Sequence, residues 1–167
     1  PDADFHRNAL VSEWTSLLAA LARVGNVNVI STVPDTCRLH ADRLRTKQII
    51  VNLMKNAIKH APDGDVVVDS GPRFGRFAVT VTDTGQGMST HDIGAASKPI
   101  GQSKKDAFRS DGNSHGLGLP RAKRLIEAHG GQLEIESTPG EGTAISAIFP
   151  SERVLNDGCG ADDGTAP

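Results

Sequence analysis

The sequence has few aromatic residues and no tyrosine, with five phenylalanines and one tryptophan among its 167 residues. Any chemistry that requires a phenol is therefore excluded. The only cysteines, Cys37 and Cys159, are far apart and form no metal or redox motif, which fits a reducing, cytoplasmic setting. We find no signal peptide and no apolar run of membrane-spanning length, so we expect no direct membrane contact by this chain. Whether a longer protein is membrane-anchored stays open.

The chain also lacks an excess of charge of either sign. Its formal net charge is -2, and no basic surplus indicates binding to nucleic acid. Hydrophobic residues make up 37%, which is enough for an ordinary globular core. The length predicts one domain, with at most the remnant of a second.

Helical and strand patterns occur in separate blocks, and the strand patterns are compatible with mostly antiparallel pairing. This arrangement predicts an α+β fold, a two-layer α/β sandwich with a mixed, largely antiparallel sheet and about three helices. The gap between the second pair of strands and the last helix, residues 89–115, is long enough to be a lid. The Gly- and Asp-rich end, residues 151–167, predicts a disordered tail. The predicted elements are helices at Phe5–Val24, Asp42–His60, His91–Ala96 and Gly116–His129, and strands at Val27–Thr32, Cys37–His40, Val66–Ser70, Arg76–Thr82, Gln132–Ser137 and Thr143–Phe149.

The helix that begins after Asp42 has an unusual polar side. At about 100° per residue, one broad side is apolar, and a narrower stripe carries Gln48, Asn52, Asn56, Lys59 and His60. Amide oxygens can ligate a hard cation, and an ammonium can balance phosphate charge. The stripe is therefore either a magnesium-nucleotide surface or an ordinary solvated face with arbitrary amides.

Two glycine-containing turns are the other candidates for chemistry. Asp83-x-Gly85-x-Gly87 follows a strand, where a carboxylate can accept from an exocyclic amine and glycines allow a flat ring to approach. Taken alone, this motif more often forms a plain tight turn. Gly116-Leu-Gly-Leu119 opens a helix, whose free N–H groups favour phosphate. The lid lysines, including Lys98 and Lys104, either contact phosphate or are simply solvated.

In this order and spacing, the motifs resemble those of the ATP-binding catalytic domain of sensor histidine kinases, in the GHKL ATPase superfamily. The resemblance covers Val27 to Pro150 and implies a Bergerat-type ATP-binding fold. Its cofactors would be ATP and Mg²⁺. The segments that carry it are Asn52–His60, similar to the N box, Asp83–Gly87, similar to the G1 box, His115–Leu119, similar to the G2 box, and Gly130–Gly131 with Thr138–Thr143, similar to the closing hairpin.

The resemblance implies a role for each matching residue. Asn56 would ligate Mg²⁺, Asn52 would support the metal or the phosphates, and Lys59 would contact phosphate. Asp83 would accept from the adenine amine. The other implied nucleotide-binding residues are His60, Gly85, Gly87, Lys98, Lys104, His115, Gly116, Leu117, Gly118 and Leu119.

The resemblance also implies the reaction. Related ATPases carry a glutamate as general base where this chain has Asn52, and an amide cannot take a proton near neutral pH. We therefore expect the γ-phosphoryl to pass to a histidine on a separate dimerisation domain. Residues 1–26 resemble the end of a helix from that domain, and no acceptor motif is present, since His91-Asp92 lacks the proline expected at Ala96. The implied partners are the missing histidine domain, a response regulator and, in the full-length protein, a second copy.

Departures from the family pattern leave two alternatives. Ser97, Ile100 and Ser114 stand at positions where the family's lid and G2 box usually carry other residues, so a degenerate nucleotide- or partner-binding module is possible. A serine kinase or anti-sigma factor of the same superfamily is the other. Within the histidine kinases, Pro99, Gly101-Gln102 and Leu119-Pro120 are similar to alphaproteobacterial cell-cycle kinases.

Overall fold

The computed structural model describes residues 2–6, 28–31, 38–73, 75–96 and 118–155. The segment 97–117, which lies outside these ranges, contains five of the candidate site residues. Both cysteines also lie outside the described ranges. The helices are α1 (Arg43–His60), α2 (Thr90–Ala96) and α3 (Gly118–Ala128), with a 3₁₀ turn at Ser151–Arg153. The strands are β1 (Asp2–His6), β2 (Asn28–Ser31), β3 (Arg38–Asp42), β4 (Asp65–Arg73), β5 (Arg76–Asp83), β6 (Gln132–Thr138), β7 (Gly142–Phe149) and β8 (Val154–Leu155).

The main sheet has five strands in the order β2-β4-β5-β7-β6. Every neighbouring pair is antiparallel except β2 with β4, which is parallel. The predicted α+β fold with a mixed, largely antiparallel sheet is therefore confirmed. A second sheet of three strands, in the order β1-β3-β8, was not predicted.

The core lies between one face of the main sheet and helices α1 and α3. Alternation along β5 turns Phe77, Val79 and Val81 inward, each at most 4% exposed. They meet the apolar sides of the two helices, so the sandwich has two layers, as predicted. The helix residues in this core are Ile49, Ile50, Leu53, Met54 and Ala57 from α1, and Leu119, Ala122 and Ile126 from α3.

Two predictions about the chain ends need correction. Phe5 and His6 belong to β1, paired with Leu39 and Arg38, so no helix begins at Phe5; the rest of that predicted helix lies outside the described residues. The predicted tail is also ordered at its start, because Val154 and Leu155 pair with Leu39 and Arg38. Both β1 and β8 pair with the backbone of β3. The sequence does not reveal which strand edges are available for such pairing. Residues 156–167 lie outside the described part.

The helices described in the structure include none that is both long and apolar enough to cross a membrane.

Candidate functional site

A cleft of about 640 Å³ opens between α1, the loop after β5, α2 and the start of α3. Its lining is mainly polar on the α1 side and consists of Gln86, Gly87 and Met88 on the loop side. The lining residues are Gln48, Asn52, Lys55, Asn56, Lys59, His60, Gln86, Gly87, Met88, Asp92, Gly118, Leu119 and Arg121.

Helix α1 supplies the longest wall of the cleft. The helix begins because the Asp42 carboxylate accepts the backbone N–H of Arg45 at 3.0 Å, and this bond lowers the pKa of Asp42. Its apolar side is buried against the sheet. The opposite stripe is thereby turned into the cleft, which explains why the helix carries amides and lysines there.

Asn52 is the most constrained polar residue of this wall. Its side chain is 8% exposed, and Oδ1 accepts a hydrogen bond from Gln48 Nε2 at 3.2 Å. Its Nδ2 is buried and has no hydrogen-bond partner in the structure. Because an unsatisfied buried donor costs free energy, this N–H group marks a place where an oxygen-rich ligand would be favoured.

The loop after β5 forms the facing wall and is fixed at both ends. Gln86 N donates to the His60 carbonyl at 3.4 Å, and Gly140 N donates to the Gln86 carbonyl at 2.8 Å. A Cβ on Gly85 would lie 2.0 Å from the His60 oxygen. Gly87 has φ +68°, and a Cβ there would lie 2.1 Å from the Thr138 oxygen. The glycines are therefore required by packing of the loop on α1 and on the β6–β7 hairpin, a reason that the sequence did not reveal.

Asp83 lies behind this wall, at the end of β5. Its carboxylate is 2% exposed and accepts the Gly85 N–H at 2.9 Å. Burial raises the pKa of Asp83, while the bond to Gly85 and the nearby His60 oppose the shift. Asp83 and Gly85 are not among the residues that line the cleft, so Asp83 shapes the base of the loop.

Helix α3 begins at the far side of the cleft. Gly118, Leu119 and Arg121 line it from the first turn of this helix. A helix N-terminus presents unpaired N–H groups and a partial positive charge. This end of α3 is therefore suited to an anion.

Fixed charge in the described lining is mainly positive. Lys55 and Lys59 come from α1 and Arg121 from α3, whereas Asp92 is the one carboxylate among the described lining residues. Lys55 and Arg121 were not predicted from the sequence. Lys55 could have been found, because three residues after Asn52 places it on the same helical side. Arg121 carries no signal of its own beyond its place in the first turn of a helix.

The cleft brings together seven of the predicted site residues, from all three motifs. These are Asn52, Asn56, Lys59, His60, Gly87, Gly118 and Leu119. Five others lie outside the described residues, namely Lys98, Lys104, His115, Gly116 and Leu117. The lid prediction is described only over its first part, where Ser89 caps the short helix α2 by bonds to Asp92.

The donor set of the cleft suits a phosphorylated ligand better than a metal bound by protein alone. The described residues contain no group of three or more His, Cys, Asp or Glu side chains that could hold a metal ion. A cation here would depend on amide oxygen and on ligand oxygens. This is the usual situation of Mg²⁺, which is commonly held by few protein ligands together with substrate phosphates.

A polar helix wall, a glycine loop and a helix N-terminus around one cleft define an ATP-binding catalytic domain of the sandwich type. Residues 41–153 match the family described as histidine kinase-, DNA gyrase B-, and HSP90-like ATPase. This chain belongs to that family, and its similarities place it with the ATP-binding catalytic domains of sensor histidine kinases.

The curated relatives are much longer than this chain. Sensor protein GacS of Pseudomonas syringae pv. syringae is 35% identical over 158 residues, which is 89% of this chain and 17% of GacS. Cell-division control histidine kinase PdhS of Brucella canis is 39% identical over 139 residues, which is 76% of this chain and 13% of PdhS. The chain therefore spans less than a fifth of either relative. One relative is named a sensor protein and the other a histidine kinase, which supports the assignment to sensor histidine kinases, and the cell-cycle subtype stays a prediction.

Solved structures show the same fold. The catalytic domain of histidine kinase ThkA, in a nucleotide-free form, superposes with a TM-score of 0.75 at 25% identity, covering 90% of this chain and 96% of that one. Full-length ShkA in complex with AMPPNP gives a TM-score of 0.74 at 25% identity, covering 89% of this chain and 31% of ShkA.

Proposed function

We propose that this chain binds Mg²⁺–ATP in the described cleft and transfers the γ-phosphoryl group to a histidine on a separate dimerisation domain. The observation that carries the proposal is the α1 wall, where a buried N–H donor of Asn52 without a partner lies in the same stripe as Asn56 and Lys59. A site with a donor that awaits an acceptor, flanked by cations, fits a polyphosphate.

Each wall has a task in this proposal. Asn56 offers an amide oxygen to Mg²⁺, which would neutralise phosphate charge during transfer. Lys59, Lys55 and Arg121 add positive charge around the phosphates. The loop wall would hold the adenine side. Asp83 lies behind this wall, so the loop would have to shift before its carboxylate accepts from the exocyclic amine. The lid residues Lys98 and Lys104 and the G2 residues His115, Gly116 and Leu117 complete the proposed site.

No carboxylate stands at the Asn52 position, where related ATPases carry their general base, and this favours transfer over hydrolysis. The one carboxylate among the described lining residues, Asp92, accepts two hydrogen bonds at Oδ2, from the Ser89 N–H at 3.2 Å and from the Ser89 hydroxyl at 2.6 Å. The pKa of Asp92 is lowered, chiefly by the Ser89 hydroxyl, and a weaker base is poorly suited to activate water. A protein nucleophile would therefore be the acceptor. In the longer protein, we propose a homodimer that passes the phosphoryl group to a response regulator.

The test mixes this chain with the separately produced histidine domain of its full-length protein and with ATP labelled at the γ-position. We expect label on the histidine domain that is stable to base and lost in acid, as for phosphohistidine. Acid-stable label would point to a serine kinase. ATP binding with no transfer, in the presence of Mg²⁺, would contradict the kinase proposal and favour a module that only binds nucleotide.

A further inference from the structure

The amide of Asn52 is oriented by a neighbour outside the proposed catalytic set. Gln48 lies one turn earlier on α1, at the lip of the cleft, and its Nε2 donates to Asn52 Oδ1 at 3.2 Å. A side-chain amide has one oxygen side and one N–H₂ side. Once Oδ1 is bonded to Gln48, Nδ2 is turned away from Gln48.

This pairing determines what Asn52 can offer to a ligand. Its free group is a buried donor without a partner, and donors bind phosphate oxygens, not cations. The sequence left two roles for Asn52, the metal or the phosphates. Because Gln48 already engages one lone pair of the oxygen and the group without a partner is the N–H₂, the pairing favours the phosphates for Asn52 and leaves the metal to Asn56.

We infer that Gln48 is a positioning residue that holds Asn52 Nδ2 ready to donate to a phosphate oxygen of ATP. The inference rests on the proposed function, since it needs a polyphosphate in the cleft. Gln48 also lines the cleft, so an effect that passes through Asn52 has to be separated from a direct contact between Gln48 and the nucleotide. Without Gln48, the Asn52 amide could turn its oxygen towards the phosphates, which repels them.

The experiment is a double-mutant cycle with Gln48→Met, Asn52→Ala and the double variant, measured by calorimetric titration with ATP and with adenosine. We expect Gln48→Met to weaken ATP binding about threefold to tenfold, as for one neutral hydrogen bond, and to leave adenosine binding unchanged. In the Asn52→Ala background, Gln48→Met should have no further effect.

A second arm removes the cation. Asn52→Ala should weaken ATP binding by the same factor in EDTA as with Mg²⁺, because its contact is to phosphate. Gln132→Met is the matched control, since it removes another side-chain amide bond, to Glu134 at 2.8 Å on β6, away from the cleft. The ATP affinity of the Gln132→Met variant should equal that of the unmodified chain.

Four results would overturn the inference. Additive losses in the double variant would show that Gln48 touches the nucleotide directly. Equal losses for adenosine would show a general structural defect. A loss at Asn52→Ala that vanishes in EDTA would assign its oxygen to the metal, and unchanged ATP binding by Gln48→Met would show no role. Failure of the unmodified chain to bind ATP would instead overturn the proposed function itself, together with this inference.

Discussion

Among single residues, Asp83 combines a structural cost with a proposed binding role. It is a carboxylate at 2% exposure whose pKa is raised by burial, and it bonds to the Gly85 N–H that shapes the loop. A raised pKa means that the folded state holds the proton more tightly than the unfolded state. The contribution of Asp83 to stability is therefore largest below pH 3.8, the ordinary pKa of an aspartate. It is lost as the pH rises through the pKa that Asp83 has in the folded state.

Asp83→Asn is therefore expected to raise the melting temperature at pH 7, because it removes a buried charge while the amide oxygen can still accept from Gly85. The gain should shrink as the pH approaches 3.8, where the native carboxylate is protonated too. The same variant should bind ATP at least tenfold more weakly, as for a lost charge-assisted bond. Thermal melts across pH and calorimetric titration measure both effects.

The exposed Glu127 on α3 supplies a control for this substitution. It does not line the cleft, so Glu127→Gln should change neither quantity appreciably. A melting temperature of Asp83→Asn below that of the native chain at pH 7 would contradict the account of its raised pKa.

Among the contacts between elements, the loop after β5 packs against the end of α1 without room for a side chain at Gly85. The helix ends at His60, and the carbonyl oxygen of His60 lies 2.0 Å from the position that a Cβ on Gly85 would take. Only a residue without a side chain allows the loop to contact the helix end at this distance. The position of the loop wall relative to Lys59 and His60 depends on this contact.

Gly85→Ala should accordingly destabilise the fold by about 1–3 kcal/mol or more and also weaken ATP binding, because the loop must move away from α1. Urea unfolding with calorimetric titration measures both quantities. Gly94→Ala is the matched control, since nothing lies within 4 Å of its Cβ position in α2. It should be neutral or stabilise by up to about 1 kcal/mol. Equal stabilities of the two variants would show that the loop adapts freely.

The elements that sequence predicted well are those whose periodicity is set by the core. Helix α1 was predicted from Asp42 and ends at His60 as expected, because its apolar side, its N-cap and Pro62 all agree. Strand β5 followed from the alternation of Phe77, Val79 and Val81 with smaller or polar residues. Motif spacing singled out Asn52, Asn56 and Gly87, which line one cleft in the structure, and their binding roles stay predictions.

What sequence could not predict depends on contacts between distant backbone groups. The second sheet forms because β3 pairs on one edge with residues near Asp2 and on the other with Val154. Neither partner has a strong strand pattern of its own. The interpretation of Gly85 as a platform for a flat ring was incomplete for the same reason, because the carbonyl it approaches is 25 residues earlier in the chain.

For the molecule as a whole, Arg153 joins parts that the main sheet does not. Its Nε donates to the His129 carbonyl at 2.9 Å, beyond the end of α3, and its Nη1 donates to the His40 carbonyl in β3 at 3.2 Å. The guanidinium therefore connects the last described segment to a helix end and to the second sheet. Charged donors satisfy carbonyls of this kind well.

Arg153→Met should lower the free energy of unfolding by about 1–3 kcal/mol, since two partly buried carbonyls lose their charged donor. ATP affinity should be unaffected, because Arg153 is not part of the cleft lining. Urea denaturation provides the first quantity. Arg124→Met, at an exposed position of α3, should stay within about 0.5 kcal/mol of the native chain. Identical stability of both variants would mean that the two guanidinium bonds of Arg153 add nothing to the stability of the fold.

The bonds that fix the loop wall also have a consequence for biosynthesis. Gln86 is held by Gly140, and the Met88 N–H donates to the Ser137 hydroxyl at 2.7 Å, so both anchors are translated about fifty residues after the loop itself. When α1 and β5 have left the ribosome, the loop wall still lacks the residues that anchor it, so the nucleotide cleft is incomplete. Capture of ATP by the nascent polypeptide must wait until the β6–β7 hairpin has emerged from the exit tunnel.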